Sequence, residues 1–169
     1  MRCAPGDRPT RLTRPDAGEL RRQLRAKRRA VPEAQRAAAA RRIAEHLLAC
    51  PELAGPGRIA TFLPSDGEVD PNAALPQLRS RGWEPHLPVV GEDSSMTFAP
   101  WVPDDTLAPN RYGIPEPSDH RAPRRTAADL DVILVPCVGL DTRGNRLGFG
   151  VGSGRSPQLV REAVRLFGL

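Results

Sequence analysis

The 169-residue chain has no apolar run long enough to cross a bilayer, and its first residues lack the apolar stretch of a secretory leader. A cytoplasmic protein with no membrane partner is therefore expected. Cysteine is scarce: Cys3, Cys50 and Cys137 are odd in number, far apart, and match neither a zinc nor a disulfide spacing. Inert thiols in a reducing compartment are the expectation. The three histidines, His46, His86 and His120, are equally scattered, which argues against a metal cluster built from them. Aromatic residues make up 4% of the chain and are nearly absent from its basic N-terminal stretch, so the stacking platforms of single-strand nucleic-acid binders are missing. Lysine is all but absent too. Of 25 basic residues only Lys27 is not arginine, in a chain also rich in alanine and proline, which points to a compositional bias as much as to a selected surface.

The length suits one domain with a sizeable core and leaves no comfortable room for two. Charge is uneven: residues 1–42 hold 13 basic and 4 acidic side chains, the remainder 12 and 16. Residues 1–15, "MRCAPGDRPTRLTRP", are polar, proline-punctuated and aperiodic, and read as a disordered basic tail, with 16–169 a single domain. A first helix is expected from Asp16 as cap, with Leu20, Leu24 and Val31 as a thin apolar stripe closed by Pro32. A second, over 33–49, should turn Ala37, Ala40, Ile43, Ala44 and Leu47 to a core before "CPELAGPG" breaks it. Strands are expected at 58–64 and 83–90, with an edge strand at 96–101; between the first two lies a helix capped by Asp70, with Pro71 at its first position and Gly82 as its stop. "NRYGIPEP" (110–117) reads as loop. "DVILVPCVGLD" (131–141), apolar on both faces, suits a central parallel strand. Strands alternating with helices give an α/β layer fold.

Past that strand, glycine recurs at every second position from Gly148 to Gly154. Such spacing lets the backbone adopt positive φ and approach a ligand closely, and successive amides can form a nest for anionic oxygens. The stretch follows the C-terminal end of the strongest strand, where open α/β sheets bind ligands. Arg146 adds a planar fork suited to phosphate. Neither G-x-G-x-x-G nor G-K-[ST] occurs here, so on spacing alone a ligand-free glycine turn and a nucleotide site stand level.

Four further stretches bear on the choice. "LRRQLRAKRRAV" (20–31), "FLPSDGEVDP" (62–71), "YGIPEP" (112–117) and "DVILVPCVGLDTRGNRLGFGVG" (131–152), in this order, resemble the 5-formyltetrahydrofolate cyclo-ligase (methenyltetrahydrofolate synthetase) family. The most specific part is D-x-x-G-x-R-L-G-x-G-x-G, met by Asp141, Gly144, Arg146, Leu147, Gly148, Gly150 and Gly152. The resemblance implies a Rossmann-like three-layer α/β sandwich with a mostly parallel sheet. It implies an ATP site at Arg21 and at Arg146, Leu147, Gly148, Phe149, Gly150, Val151, Gly152, Ser153 and Gly154, with Arg146 also catalytic. The substrate side would use Leu63, Glu68 and Tyr112. The implied reaction needs ATP and magnesium (Mg2+). The formyl oxygen of 5-formyltetrahydrofolate attacks the γ-phosphate, and phosphate leaves as N10 closes the ring, giving 5,10-methenyltetrahydrofolate and ADP. These residue types suit phosphoryl transfer, which asks for positioning and charge neutralisation. Taken singly, Arg21 reads equally as a solvated arginine, Glu68 as a turn residue, and Tyr112 as packing on its own "GIPEP".

The chain departs from the family pattern in three respects. Ala17 stands where a basic residue is usual, and Arg155 where the family has an aspartate implied to help hold Mg2+; a guanidinium cannot ligate a cation that wants oxygen donors. After "SPQLVREAVRLFGL" (156–169) the chain stops where the family pattern continues, so the last elements of the sandwich are expected to be missing. The alternatives are a non-catalytic remnant of the family with weak ligand binding and, behind it, a basic nucleic-acid-binding module. A monomer is expected.

Overall fold

The computed structural model describes residues 14–93, 95–118, 123–140 and 146–148. It is a mixed α/β fold around a four-stranded, mostly parallel sheet. Helix α1 (Arg14–Arg29) takes in Asp16, which therefore does not open the helix. Helix α2 (Glu33–Ala49) follows from Pro32, whose extended ψ of 147° starts the new helix without a side-chain cap. It buries Ala44 and Leu47 and packs Ile43 and Leu48 alongside, while Ala37 faces solvent, contrary to expectation. The half-buried Cys50 thiol donates to Glu52, and burial pushes it up, which disfavours the reactive thiolate.

Strand β1 (Gly57–Ala60) leads through a loop and a 3-10 turn (Asn72–Ala74) to α3 (Leu75–Ser80) and then β2 (Trp83–Val90), parallel to β1. Gly82, at φ 90°, ends α3 in the left-handed region that favours glycine. Strand β3 (Met96–Pro100) returns antiparallel to β2. Leu107–Pro109 (β4) and Pro115–Pro117 (β5) form a hairpin, so part of the segment read as loop is strand. Strand β6 (Val132–Ile133) lies parallel to β1, giving the order β3-β2-β1-β6. The apolar run at 131–141 therefore gives this sheet only a short strand, which among the described residues lies at the sheet edge rather than the centre. The expected strand at 58–64 likewise stops at Ala60.

One face of the sheet carries the core. Ile59, Trp83, Leu87 and Val132 pack with Ala44 and Leu47 of α2 and with Ala74, Leu75 and Leu78. Burying a side chain such as Leu78 contributes about 1.5–3 kcal/mol. Prolines are rare in interior strands because they cannot donate to the ladder. At Pro88 the cost is small: its partner Phe98 exchanges both backbone hydrogen bonds with Arg125 instead.

Candidate active site

Because β1, β2 and β6 are parallel, the segments leaving their C-terminal ends emerge at one edge of the sheet. After β1, Asn72 pins the chain: its amide donates to the Phe62 carbonyl at 3.0 Å, and its carbonyl oxygen accepts from the Thr61 hydroxyl at 2.7 Å. Leu63 then packs against the core. After Pro64, residues Ser65–Glu68 close a tight turn in which the Glu68 N–H donates to the Ser65 carbonyl at 2.9 Å. Asp66 (φ 51°) and Gly67 (φ 78°) both take left-handed conformations, the requirement of a type I′ turn and the reason Asp-Gly suits it. The turn returns the Glu68 carboxylate over its own start, where Oε2 accepts from the Ser65 N–H at 3.0 Å.

Helix α1 lies against this loop. Arg25 Nε donates to Asp66 Oδ2 at 2.7 Å, Arg28 Nη2 to the same oxygen at 2.9 Å, and Arg29 Nη1 to Oδ1 at 3.1 Å. Arg25, foremost, with Arg28 and Arg29, holds the Asp66 carboxyl below its ordinary range. The same helix reaches the segment after β6. Leu24 packs directly against Gly139: a Cβ there would lie 2.7 Å from Leu24 Cδ1, so the leucine side chain would have to shift. Gly139–Leu140 (β7) pairs antiparallel with Arg146–Leu147 (β8), extended by the Val138 N–H donating to the Leu147 carbonyl at 2.8 Å. Arg21 Nε donates to the carbonyl of Gly148 at 2.8 Å, across 127 residues of sequence. Arg146 is half-buried and its Nη1 reaches the Pro136 carbonyl at 3.4 Å.

Of the residues singled out in the sequence, Arg21, Arg146, Leu147, Gly148 and Glu68 are thus brought to one edge around α1, with Leu63 beneath. Tyr112 sits at the tip of the β4–β5 hairpin, beside the segment that leaves the C-terminal end of β2. Its ring is exposed beneath the Arg111 guanidinium, 4.9 Å from the centroid, and Arg111 fastens the tip to the carbonyls of Gly91 and Glu92 after β2. Glu116 anchors the same hairpin, accepting from the Val90 N–H at 2.9 Å and the Asn110 amide at 2.7 Å. Phe149, Gly150, Val151, Gly152, Ser153, Gly154, Asp141 and Arg155 lie outside the described residues. Arg25, Arg28, Asp66 and Asn72 were not singled out beforehand; the Ser-Asp-Gly-Glu turn was their one visible signal. Of the basic residues in the N-terminal stretch, Arg21, Arg25, Arg28 and Arg29 bond to partners far along the same chain.

Residues 14–158 match the 5-formyltetrahydrofolate cyclo-ligase family. The chain belongs to this family. The 5-formyltetrahydrofolate cyclo-ligase of Escherichia coli (strain K12) is 31% identical over 131 residues, 76% of this chain and 72% of its own length. That of Mycolicibacterium smegmatis is 33% identical over 140 residues, 79% and 70% of the two chains. Among solved structures, the 5,10-methenyltetrahydrofolate synthetase of Aquifex aeolicus superposes with a TM-score of 0.69 at 28% identity, over 89% of this chain and 72% of that one. These cyclo-ligase relatives are enzymes, and the non-catalytic and nucleic-acid readings are not favoured beside them.

Proposed function

We propose that this chain catalyses ATP-dependent conversion of 5-formyltetrahydrofolate to 5,10-methenyltetrahydrofolate with release of ADP and phosphate, as a cytoplasmic monomer. The observation that carries the reading is the 2.8 Å bond from Arg21 to the Gly148 carbonyl, which sets a guanidinium against the start of the glycine-rich stretch. A triphosphate needs both: fixed positive charge, and backbone amides free to approach its oxygens. Arg21 has two further guanidinium nitrogens beyond Nε for phosphate oxygens, and Arg146 adds a second fork from β8.

In this reading Arg21, Arg146 and the backbone from Leu147 to Gly154 hold the triphosphate. Leu63 walls the folate side, Glu68 accepts hydrogen bonds from the pterin ring, and Tyr112 stacks on the substrate from the hairpin. The formyl oxygen attacks the γ-phosphorus, the bond to ADP breaks, and N10 closes on the activated carbon as phosphate departs. Arg146 neutralises charge developing on the transferred group, the contribution such reactions draw from a protein. Magnesium carried with the nucleotide would supply further neutralisation of the phosphates. Among the described residues no group of three His, Cys, Asp or Glu side chains could hold it, and none of the roles above passes through it.

Release of ADP tests the reading. With ATP and Mg2+ present, ADP should form only when 5-formyltetrahydrofolate is added, and folic acid, which has no formyl oxygen, should not replace it. ADP formation no faster with the substrate than without it would overturn the assignment.

A further inference from the structure

We propose that Arg28 is a positioning residue that sets the orientation of the Glu68 carboxylate, an inference resting on the reading of Glu68 as a substrate contact. The Arg28 side chain is only 15% exposed and Glu68 only 7%. Two contacts to Asp66 fix the guanidinium plane: Nε donates to the Asp66 carbonyl at 3.0 Å and Nη2 to its Oδ2 at 2.9 Å. The remaining edge is thereby aimed. Nη1 faces Glu68 Oε1 at 3.4 Å and the Cys137 carbonyl at 3.5 Å.

Glu68 is consequently held from both sides, with Oε2 against the Ser65 N–H and Oε1 against Arg28. Oε2 also accepts from the Ser65 hydroxyl at 3.4 Å, so Oε1 is the oxygen that keeps a lone pair for a donor of a bound ring, in a direction its contact with Arg28 determines. A lysine at 28 could supply charge to one of these groups but not the planar fork that spans Asp66, Glu68 and Cys137 together. Arg28 also meets the glycine-stretch side of the site. The adjacent carbonyls of Pro136 and Cys137 receive Arg146 and Arg28 respectively, so the two guanidinium groups are seated on neighbouring peptide units.

The test uses the full chain and four variants, Arg28→Met, Arg28→Lys, Glu68→Gln and the Arg28→Met/Glu68→Gln double, with KM measured separately for 5-formyltetrahydrofolate and ATP, folate binding followed by equilibrium dialysis, and thermal melting in parallel. Loss of a charged hydrogen bond predicts a rise of about tenfold or more in folate KM for Arg28→Met, with ATP KM changed less than about threefold. Arg28→Lys, which keeps the charge, should lose less melting temperature than Arg28→Met and recover part of the folate KM, which keeps the question open to answer if the methionine variant does not fold. In the Glu68→Gln background, Arg28→Met should add less than about threefold, because both changes remove one interaction. Equal rises in both KM values, a parental folate KM in Arg28→Lys and Arg28→Met alike, or full additivity with Glu68→Gln would overturn the positioning role. If Glu68→Gln alone leaves folate binding unchanged, the substrate role of Glu68 fails and the inference falls with it.

Discussion

Replacing Gly67 by alanine tests how the turn after β1 serves the site. Gly67 has φ 78°, and a Cβ there would lie 3.2 Å from the Arg28 carbonyl oxygen and the Arg29 Cα, and 3.3 Å from the Arg29 nitrogen. All three are backbone atoms at the end of α1, so no side chain can swing aside. The left-handed conformation alone costs alanine roughly 1–2 kcal/mol. The contacts add to that, and a total of about 2 kcal/mol is a reasonable expectation. For a domain of this size such a loss lowers the melting temperature by about 4–8 °C. The turn can relieve the strain by lifting off α1, but that breaks the Asp66 contacts with Arg25, Arg28 and Arg29 and carries Glu68 out of place. If the whole cost appears at the site, folate KM rises about thirtyfold, since 1.36 kcal/mol is a factor of ten. ATP KM is the internal control and should hold. Gly113→Ala separates the two costs, because Gly113 has φ 73° with nothing within 4 Å of an added Cβ. It should lose less stability than Gly67→Ala. A Gly67→Ala protein that melts and turns over like the parent would refute the argument that this turn is pressed onto the helix.

Two other outcomes follow from the same geometry. Arg21→Ala removes the bond to Gly148 and one guanidinium from the nucleotide side, so ATP KM should rise about ten- to a hundredfold while folate KM stays nearly constant; steady-state kinetics with each substrate varied separately decides it. His86 is fully buried in β2 with Nδ1 on the Glu84 carbonyl and, among the described residues, no partner for Nε2, and desolvation, with Arg125 and Arg58 nearby, lowers its pKa despite the Glu84 carbonyl and carboxylate. The unfolded chain therefore takes up the proton first. Stability is intact above about pH 6.5 and declines below it by up to about 1.4 kcal/mol per pH unit until the folded-state pKa is reached. In His86→Leu the fall in melting temperature between about pH 7.5 and about pH 5.5 should shrink; an unchanged fall would contradict this.

Much of the frame was legible in the sequence for identifiable reasons. Proline and glycine punctuate α2, so Glu33–Ala49 could be read from Pro32 and "CPELAGPG". Gly82 marked the start of β2, and its apolar residues outweighed Pro85 and Pro88. The 131–141 run misled because apolar character was taken for ladder pairing. Beyond Leu134, whose N–H still donates to the Ala60 carbonyl, its backbone is used differently, with the Pro136 and Cys137 carbonyls accepting from Arg146 and Arg28. The site was legible only in part. Arg21, Arg146 and Gly148 came from motif order, and the structure brings them together. The clasp of Arg25, Arg28 and Arg29 on Asp66 was invisible, because partners 37 to 41 residues apart carry no local signature in a helix already crowded with arginine. Tyr112 came from the resemblance alone; what fastens its hairpin to the end of β2, Arg111 and Glu116, spacing does not reveal.

Turnover is the direct test of the account. The purified chain is mixed with ATP, Mg2+ and 5-formyltetrahydrofolate, and the near-ultraviolet absorbance of the methenyl product is followed. Steady growth that disappears when ATP is left out is the predicted result. A flat trace from a chain shown by circular dichroism and cooperative melting to be folded would contradict it.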